Sequence, residues 1–133
     1  MRVHRKILFK GKRVDNGEWV EGFYCPRPYS HFPCEPSIFP IATIDKEWYG
    51  IEVIPETVGQ YTGLTDKNGV KIFEGDILKF RSGIYSVEWD NEHSKFLQRD
   101  GQFSRELHIW IAKSEIVGNI HDNPELLKGE END

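Results

Sequence analysis

The sequence has little cysteine and no long hydrophobic run, and each scarcity argues against a class of protein. Two cysteines, Cys25 and Cys34, among 133 residues cannot form the framework of a disulfide-stabilised fold. No stretch approaches the roughly 20 apolar residues that a bilayer-spanning helix requires, and the first residues lack the apolar core of a secretory signal. We therefore expect a cytoplasmic protein without a membrane partner.

The chain also lacks a net positive charge. The formal net charge is −5, whereas proteins that coat nucleic acid through their overall field are strongly basic. The charges are unevenly distributed along the chain. Before the first acidic residue, Asp15, the chain carries six basic ones: Arg2, Arg5, Lys6, Lys10, Lys12 and Arg13. The other end is acidic, with Glu125, Glu130, Glu131 and Asp133. The start of the chain is therefore the best candidate for a partner surface.

Two Asn-Gly dipeptides predict tight hairpin turns. Asn16-Gly17 and Asn68-Gly69 each lie between segments rich in β-branched and aromatic residues, which is a strong hairpin signal. The first turn is expected to join a strand around 7–9 to a strand over 19–24. The second is expected to precede a strand over 70–73.

The segment 25–40 is rich in proline and is predicted to be a loop. Proline supplies no backbone donor to a sheet. The segment contains Pro26, Pro28, Pro33, Pro36 and Pro40. Its aromatic residues predict that it packs over a sheet edge or against a neighbouring subunit. A returning strand is expected over 48–54, ended by Pro55.

Further short strands are predicted over 77–80, 84–89, 95–97, 109–111 and 116–120. Short strands at this spacing favour a small barrel over an open sheet. Pro124 is well placed to start one short helical turn, with Asp122 or Asn123 as its cap, before an acidic tail. The chain is thus predicted to be mainly β.

Three segments resemble the YopX family of phage and prophage proteins. They are KRVDNGEWVEG at 12–22, TVGQYTGLTDKNG at 57–69 continued by IFEGDI at 72–77, and VGNIHDNPELL at 117–127. The resemblance implies a β-rich fold with an N-terminal β portion and an SH3-like barrel in the second half. We therefore divide the chain into an N-terminal β portion with the Pro-rich loop over 1–57, a barrel over 58–122, and the helical turn with its acidic tail over 123–133. The resemblance also implies production inside a bacterial host, and it carries no established activity.

The residues of this motif have a structural interpretation. Glycines are expected where turns require a positive φ or a close backbone approach, and aromatic residues where a small barrel needs filling. Whether the motif also has a function is left open. The residues in question are Gly59, Tyr61, Gly63, Asp66, Asn68, Gly69, Gly75, Asp76 and Trp89.

No metal site, cofactor site or catalytic group is predicted. The cluster Cys25, His31, Cys34 and Glu35 contains zinc-ligand types but lacks the two close ligand pairs of a structural zinc site. The histidines are scattered and form no recognisable catalytic signature. Glu74 and Asp76, on either side of Gly75, could hold a cation or act as an acid–base pair, but turn carboxylates more often face water.

The hypothesis for function is a non-enzymatic accessory protein that binds a host or phage protein or copies of itself. The candidate partner surface combines basic residues with aromatic residues of the Pro-rich segment. It comprises Arg5, Lys6, Lys10, Lys12, Arg13, Tyr29 and Phe32. A solvated edge strand is the alternative explanation for the basic residues. The alternative functions are a nucleic-acid-associated β-barrel module and an enzyme.

Overall fold

The computed structural model describes residues 6–26, 35–40, 50–101, 103–107 and 111–128. The chain divides into two compact units, residues 1–61 and 62–133. Both are built mainly from antiparallel β-strands, so the prediction of a mainly β chain is confirmed. Across the described ranges, no helix combines the length and the apolar character needed to cross a membrane.

Strands β1 (Phe9–Arg13), β2 (Trp19–Cys25), β3 (Ser37–Phe39) and β4 (Ile51–Thr65) form the sheet of the first unit, to which β4 contributes its residues through Tyr61. The first hairpin is confirmed. β1 pairs antiparallel with β2, and Gly17 in the connecting turn has a φ of 74°. The N–H of Gly17 donates to the carbonyl of Arg13 at 3.0 Å. Glycine meets this positive φ without the steric cost that a side chain would bring.

The prediction of a continuous loop over 25–40 is wrong at its end, because β3 lies there. Ser37, Ile38 and Phe39 stand between two prolines, and all three keep their own backbone donors. β3 pairs antiparallel with both β2 and β4. Ile38 is fully buried, so the gain from burying a β-branched side chain favours the strand.

The prediction that Pro55 ends the returning strand is also wrong, because β4 continues through it. Between Lys10 and Lys12 the pairing of β1 with β4 shifts, so that Lys10 lies opposite Gly59 and Lys12 opposite Ile54. Four residues of β4 therefore face one residue of β1. Proline is tolerated in such a bulge because no ladder bond is required there.

Thr57 holds this bulge in place. Its hydroxyl accepts a hydrogen bond from the N–H of Lys12 at 2.9 Å and donates to the carbonyl of Ile54 at 2.6 Å. The residue is buried. The side chain thus replaces ladder bonds that the proline interrupts.

The second unit is built on an antiparallel sheet of five strands. Their bounds are β6 (Asp76–Phe80), β7 (Gly83–Asp90), β8 (Lys95–Arg99), β9 (Ser104–Glu106) and β10 (Glu115–Asn119). Their order is β10-β6-β7-β8-β9. A short strand β5 (Lys71–Phe73) follows the second Asn-Gly turn and pairs with β4. These positions confirm the strands expected over 70–73, 77–80, 84–89, 95–97 and 116–120.

The core of the second unit lies on the face of this sheet that carries Leu78 and Val87. A buried cluster collects aliphatic side chains from three strands and the segment after β9. Its members are Ile72, Leu78, Val87, Leu107 and Ile111, with Leu64, Phe96 and Ile116 packed against them. Burial of these side chains supplies the main stabilisation of the unit.

Two predictions about the end of the chain have different outcomes. The strand expected over 109–111 is wrong at Ile111, which begins a 3-10 helix, Ile111–Lys113; residues 109 and 110 lie outside the described ranges. The helical turn after Asn123 is confirmed as a 3-10 helix, Pro124–Leu127. Among the described strands the order is open, since no pairing joins β9 to β10. The closed barrel therefore stays a prediction.

Candidate functional site

The structure places only part of the predicted partner surface on one face. Lys10 and Lys12 alternate with Gly11 along β1, and strand alternation puts them on the same side of the sheet. Lys12 pairs with Trp19, and the ammonium of Lys10 lies 4.9 Å from the Trp19 ring centroid. Lys6 is exposed ahead of the strand. Arg5, Tyr29 and Phe32 lie outside the described residues.

Arg13 is separated from these lysines. It follows Lys12 by one position and therefore points to the opposite face of β1. Its guanidinium bonds the Asp15 carboxylate through two nitrogens at 2.9 Å and 2.7 Å. This hydrogen bond lowers the pKa of Asp15 below its ordinary value, against the smaller opposing effect of desolvation. Arg13 is thus engaged within its own hairpin.

The Lys10–Trp19 face, as we call the side of the first sheet that carries both residues, is mixed in character. Phe23 and Ile54 share it, with exposed fractions of 50% and 37%. Two carboxylates also lie on this side. Glu21 pairs directly with Lys10, and Glu52 pairs with Ser37 on β3. The face is therefore amphipathic, with charges of both signs.

Asp66 is the most connected residue of the 57–77 motif. One carboxylate oxygen accepts from the N–H groups of Asn68 at 2.8 Å and Val70 at 3.0 Å. The other accepts from the N–H of Ile116 at 3.1 Å. Although burial raises the pKa of Asp66, these backbone hydrogen bonds lower it below its ordinary value. The carboxylate fixes the turn and joins it to β10.

The two ends of that turn add further bonds. The N–H of Lys67 donates to the carbonyl of Ser114 at 2.9 Å. Gly69 has a φ of 79° and donates its N–H to the carbonyl of Asp66 at 3.0 Å. The segment after β4 is thereby held against the start of β10 by backbone and side-chain bonds together.

The remaining motif residues occupy corners and strand positions. Asp76 has an exposed fraction of 2%, and its carboxylate accepts from the N–H of Phe73 at 2.8 Å. Between them, Gly75 has a φ of 96° and donates to the carbonyl of Val87 at 2.8 Å. Asp76 therefore does not face water, as an open cation-binding turn would require. In β4, Gly59 is buried, Gly63 has a φ of 91°, and the N–H of Tyr61 donates to the carbonyl of Leu8 at 2.8 Å.

An open cavity of about 280 Å³ lies in the second unit. It is lined by residues from the end of β4, from β8, and from β9 and the residue after it: Thr62, Leu64, Lys95, Phe96, Glu106 and Leu107. At its border the ammonium of Lys95 lies 3.1 Å from a carboxylate oxygen of Glu106. The cavity is thus apolar inside and carries a paired charge at its edge. We call it the β4–β9 cavity.

An aromatic pair supports one wall of the β4–β9 cavity. Trp89 and Phe96 are directly opposite each other on β7 and β8, and their ring centroids are 4.9 Å apart in an edge-to-face arrangement. The indole N–H of Trp89 donates to the side chain of Asn91 at 2.9 Å. Trp89 keeps 42% of its surface exposed. Edge-to-face aromatic pairs contribute about 0.5–1.5 kcal/mol beyond the area they bury.

The last residue of β7 and the turn that follows it bring together three groups that a cation could use, Asp90, Glu92 and His93. Asp90 and His93 are bonded at 2.7 Å, and this hydrogen bond lowers the pKa of Asp90 below its ordinary value, against some desolvation. Glu92 and His93 are exposed. These groups do not line the β4–β9 cavity. Of the four residues with zinc-ligand side chains that the sequence places near one another, Cys25 is a free thiol, while His31 and Cys34 lie outside the described residues.

Sequence reasoning did not find the β4–β9 cavity. Its β4 wall, Thr62 and Leu64, lies more than 30 positions before its β8 and β9 walls, and only the tertiary fold brings them together. The one sequence signal was the Trp89 and Phe96 pair on either side of a polar turn, which is typical of an aromatic cross-strand pair.

A solved structure has a fold similar to that of this chain. The chain resembles the crystal structure of protein EF1440 from Enterococcus faecalis, with a TM-score of 0.52 and 24% sequence identity over 93% of this chain and 99% of that one. At this identity the likeness bears on the fold alone. No curated protein matches the chain.

A family model describes most of the chain. The model of the YopX protein matches residues 33–128, which include the 57–77 motif, the closing 117–127 segment and every residue that lines the β4–β9 cavity. The opening segment 12–22 precedes the match. Since the match extends over more than half of the sequence, the chain belongs to the YopX protein family.

Proposed function

We propose that this chain is a non-enzymatic accessory protein, encoded by a phage or prophage, that acts in the cytoplasm of a bacterial host by binding another protein. The observation that carries the proposal is the β4–β9 cavity. Ligand pockets for small molecules usually have about 300–1,000 Å³, and this cavity lies just below that range at about 280 Å³. An apolar site of this size suits a side chain of a protein partner.

The charges at the cavity border and those on the Lys10–Trp19 face each support a protein partner over nucleic acid. Lys95 is paired with Glu106, and an ion pair offers a phosphate little net attraction. On the Lys10–Trp19 face, Glu21 and Glu52 offset the two lysines. A nucleic-acid module would instead bring cations from several separate segments together beside exposed aromatic rings. A single arginine beside the cavity, Arg105, does not meet that requirement.

The arrangement of titratable groups supports binding over catalysis. An acid–base pair acts on a substrate held within hydrogen-bond reach. The Asp90–His93 pair lies on an exposed turn and does not belong to the cavity lining. We therefore assign the cavity a binding role.

The second unit fits an SH3-like barrel with one open seam. Its strands follow in meander order, and a 3-10 helix precedes the last strand, which returns to pair with β6. Asp66 ties the end of β4 to β10 on one side. On the other side, the β4–β9 cavity separates Thr62 and Leu64 from β8 and β9.

Self-association is part of the proposal. Phe23 and Ile54 expose apolar surface on the Lys10–Trp19 face, and the mixed charges around them can pair with those of a second copy. Light scattering on the purified chain tests it. We expect a mass above that of the monomer that falls when Phe23 is replaced by serine.

The test of function is affinity capture of the tagged chain from phage-infected or prophage-induced host lysate, with and without nuclease. We expect a protein partner that survives nuclease treatment. Recovery that depends on nucleic acid would replace this proposal with the nucleic-acid module.

Within that assay, Glu106→Lys is expected to reduce capture severalfold. The substitution places a second ammonium beside Lys95 at the cavity border, so two unpaired like charges that must stay hydrated oppose the burial of an apolar side chain there. Its cost to folding is small, because exposed ion pairs contribute about 0–1 kcal/mol. Glu92→Lys makes the same charge change on the exposed turn and should leave capture unchanged. Equal capture by the two variants would remove the cavity from the binding surface.

A further inference from the structure

The edge of the second sheet beside the β4–β9 cavity is formed by β9. Within the described part of the chain β9 pairs only with β8, and the sheet order ends there. Ser104, Arg105 and Glu106 are all exposed. An edge strand with this exposure offers its outer backbone groups to an added strand.

The hydrogen-bond alternation along β9 shows which backbone groups point outward. The N–H of Asp100 donates to the carbonyl of Phe103 at 3.0 Å, so these two residues form a hydrogen-bonded pair at the turn. In antiparallel strands the next pair, Arg99 with Ser104, is then non-hydrogen-bonded. The N–H and C=O of Ser104 therefore point away from β8, toward the position of a further strand.

The side chains beside that position combine an apolar site with a cation. Arg105 pairs with Gln98, and Phe96 lies two residues before Gln98 on the same face of the sheet. Leu107 lies two residues after Arg105 and lines the cavity together with Phe96. Arg105 therefore shares one face with the apolar lining residues Phe96 and Leu107, one strand repeat away, while Lys95 and Glu106 at the cavity border alternate to the other face.

The neighbouring cations already have acidic partners. Arg99 lies 3.4 Å from a carboxylate oxygen of Glu88, and Lys95 lies 3.1 Å from one of Glu106. Arg105 has no ion-pair partner among the described residues. An exposed cation without a partner, one repeat away from an apolar cavity, is complementary to an acidic residue two positions from an apolar one.

We propose that an extended segment of a partner protein adds to β9 as a strand, with an apolar side chain in the β4–β9 cavity and an acidic side chain two positions away beside Arg105. This inference rests on the proposed protein-binding function and gives it a recognition rule. Backbone hydrogen bonds to the edge supply general affinity, and the two side chains supply specificity. The added strand would fill the open seam between the end of β4 and β9.

The experiment is selection of a displayed library of random short peptides on the full chain and, in parallel, on Arg105→Glu. We expect peptides selected on the natural chain to share an acidic and an apolar residue two positions apart. On Arg105→Glu a basic residue should replace the acidic one. A peptide selected on the natural chain should bind Arg105→Glu about tenfold more weakly, while Lys113→Glu, an exposed charge change outside the cavity lining, leaves its affinity unchanged.

Added-strand binding has its own signature. Methylation of alternate backbone nitrogens in the selected peptide should abolish binding, because it removes the donors that face β9. Loss of the two-residue rule, or identical peptides from both selections, would overturn the seam as the site while peptide binding itself would still support the proposed function. A peptide that obeys the rule, combined with lysate capture that depends on nucleic acid, would retain the seam and overturn the function.

Discussion

Replacement of Asp66 by alanine is expected to lower the free energy of unfolding by about 3 kcal/mol, because it leaves buried backbone donors without an acceptor. The carboxylate accepts from three N–H groups, those of Asn68, Val70 and Ile116. Its exposed fraction is only 6%, so water replaces it poorly. For a chain of this size such a loss lowers Tm by about 10 °C.

Native-state hydrogen exchange locates this effect. The amide of Ile116 should exchange much faster in Asp66→Ala, whereas the amides of β1 in the first unit should be little changed. Asp66→Asn is the conservative variant. Its carbonyl oxygen can still accept from the turn, but its amide nitrogen cannot accept from Ile116, so we expect an intermediate loss. Asp15→Ala removes an exposed carboxylate and serves as the control; an equal loss in both alanine variants would contradict the role assigned to Asp66.

Low pH should weaken the hydrogen bonds by which the Asp66 carboxylate holds its turn to β10. The backbone hydrogen bonds hold the pKa of Asp66 below its ordinary value of 3.8 in the folded chain, although burial opposes them. A carboxyl group with a lowered folded pKa stabilises the fold above its unfolded pKa and loses that contribution as the pH falls through the folded value. The stability difference between the natural chain and Asp66→Asn should therefore be largest near neutral pH and shrink below about pH 4. Chemical unfolding at several pH values measures it.

Local signals were sufficient for the turns and for most strands. The two Asn-Gly dipeptides need a backbone that glycine adopts freely, and both turns have that geometry at Gly17 and Gly69. Only some of the contacts of Asp66 could be predicted from the sequence. Its hydrogen bonds within the turn are typical of aspartate at such a position. Ile116 lies 50 residues further along the chain, and no sequence pattern predicts a hydrogen bond between residues so far apart.

Proline was the main source of error, for a physical reason. Its missing donor excludes it from a regular ladder, yet a bulge has unpaired positions, and at Pro55 the Thr57 hydroxyl supplies the absent bonds. β3 lies between prolines and carries none itself. A rule that treats each proline as a strand terminator therefore cuts β4 short and misses β3.

The candidate site was predicted less well than the fold. Strand alternation separates Arg13 from Lys10 and Lys12, so adjacency in sequence did not give one basic surface. The β4–β9 cavity depends on how the end of β4 meets β8 and β9, which no local pattern encodes. Sequence patterns predict the elements, whereas the site depends on their packing.

Replacement of Gly22 by alanine is expected to lower the free energy of unfolding by about 3 kcal/mol. This value lies at the upper end of the usual cost of forcing an extra carbon atom into a tightly packed site. A Cβ at this position would clash with the carbonyl oxygen of Phe39 and would lie 2.9 Å from the Cα of Pro40. Both are backbone atoms, so no side-chain rotation relieves the clash. Alanine must push β3 away from β2, where Phe23 pairs with Phe39 and Tyr24 with Ile38. Ile38 would lose burial as a result.

Gly101→Ala is the matched control, because a Cβ there meets no atom within 4 Å and its φ is not in the positive range. We expect its free energy of unfolding to stay within about 0.5 kcal/mol of that of the natural chain. Thermal unfolding followed by circular dichroism compares the two variants, and exchange of the Phe39 amide should accelerate only in Gly22→Ala. If the two glycine variants were equally stable, the backbone of β3 would not approach β2 this closely in solution. The pairing of β3 in the middle of the first sheet would then have to be revised.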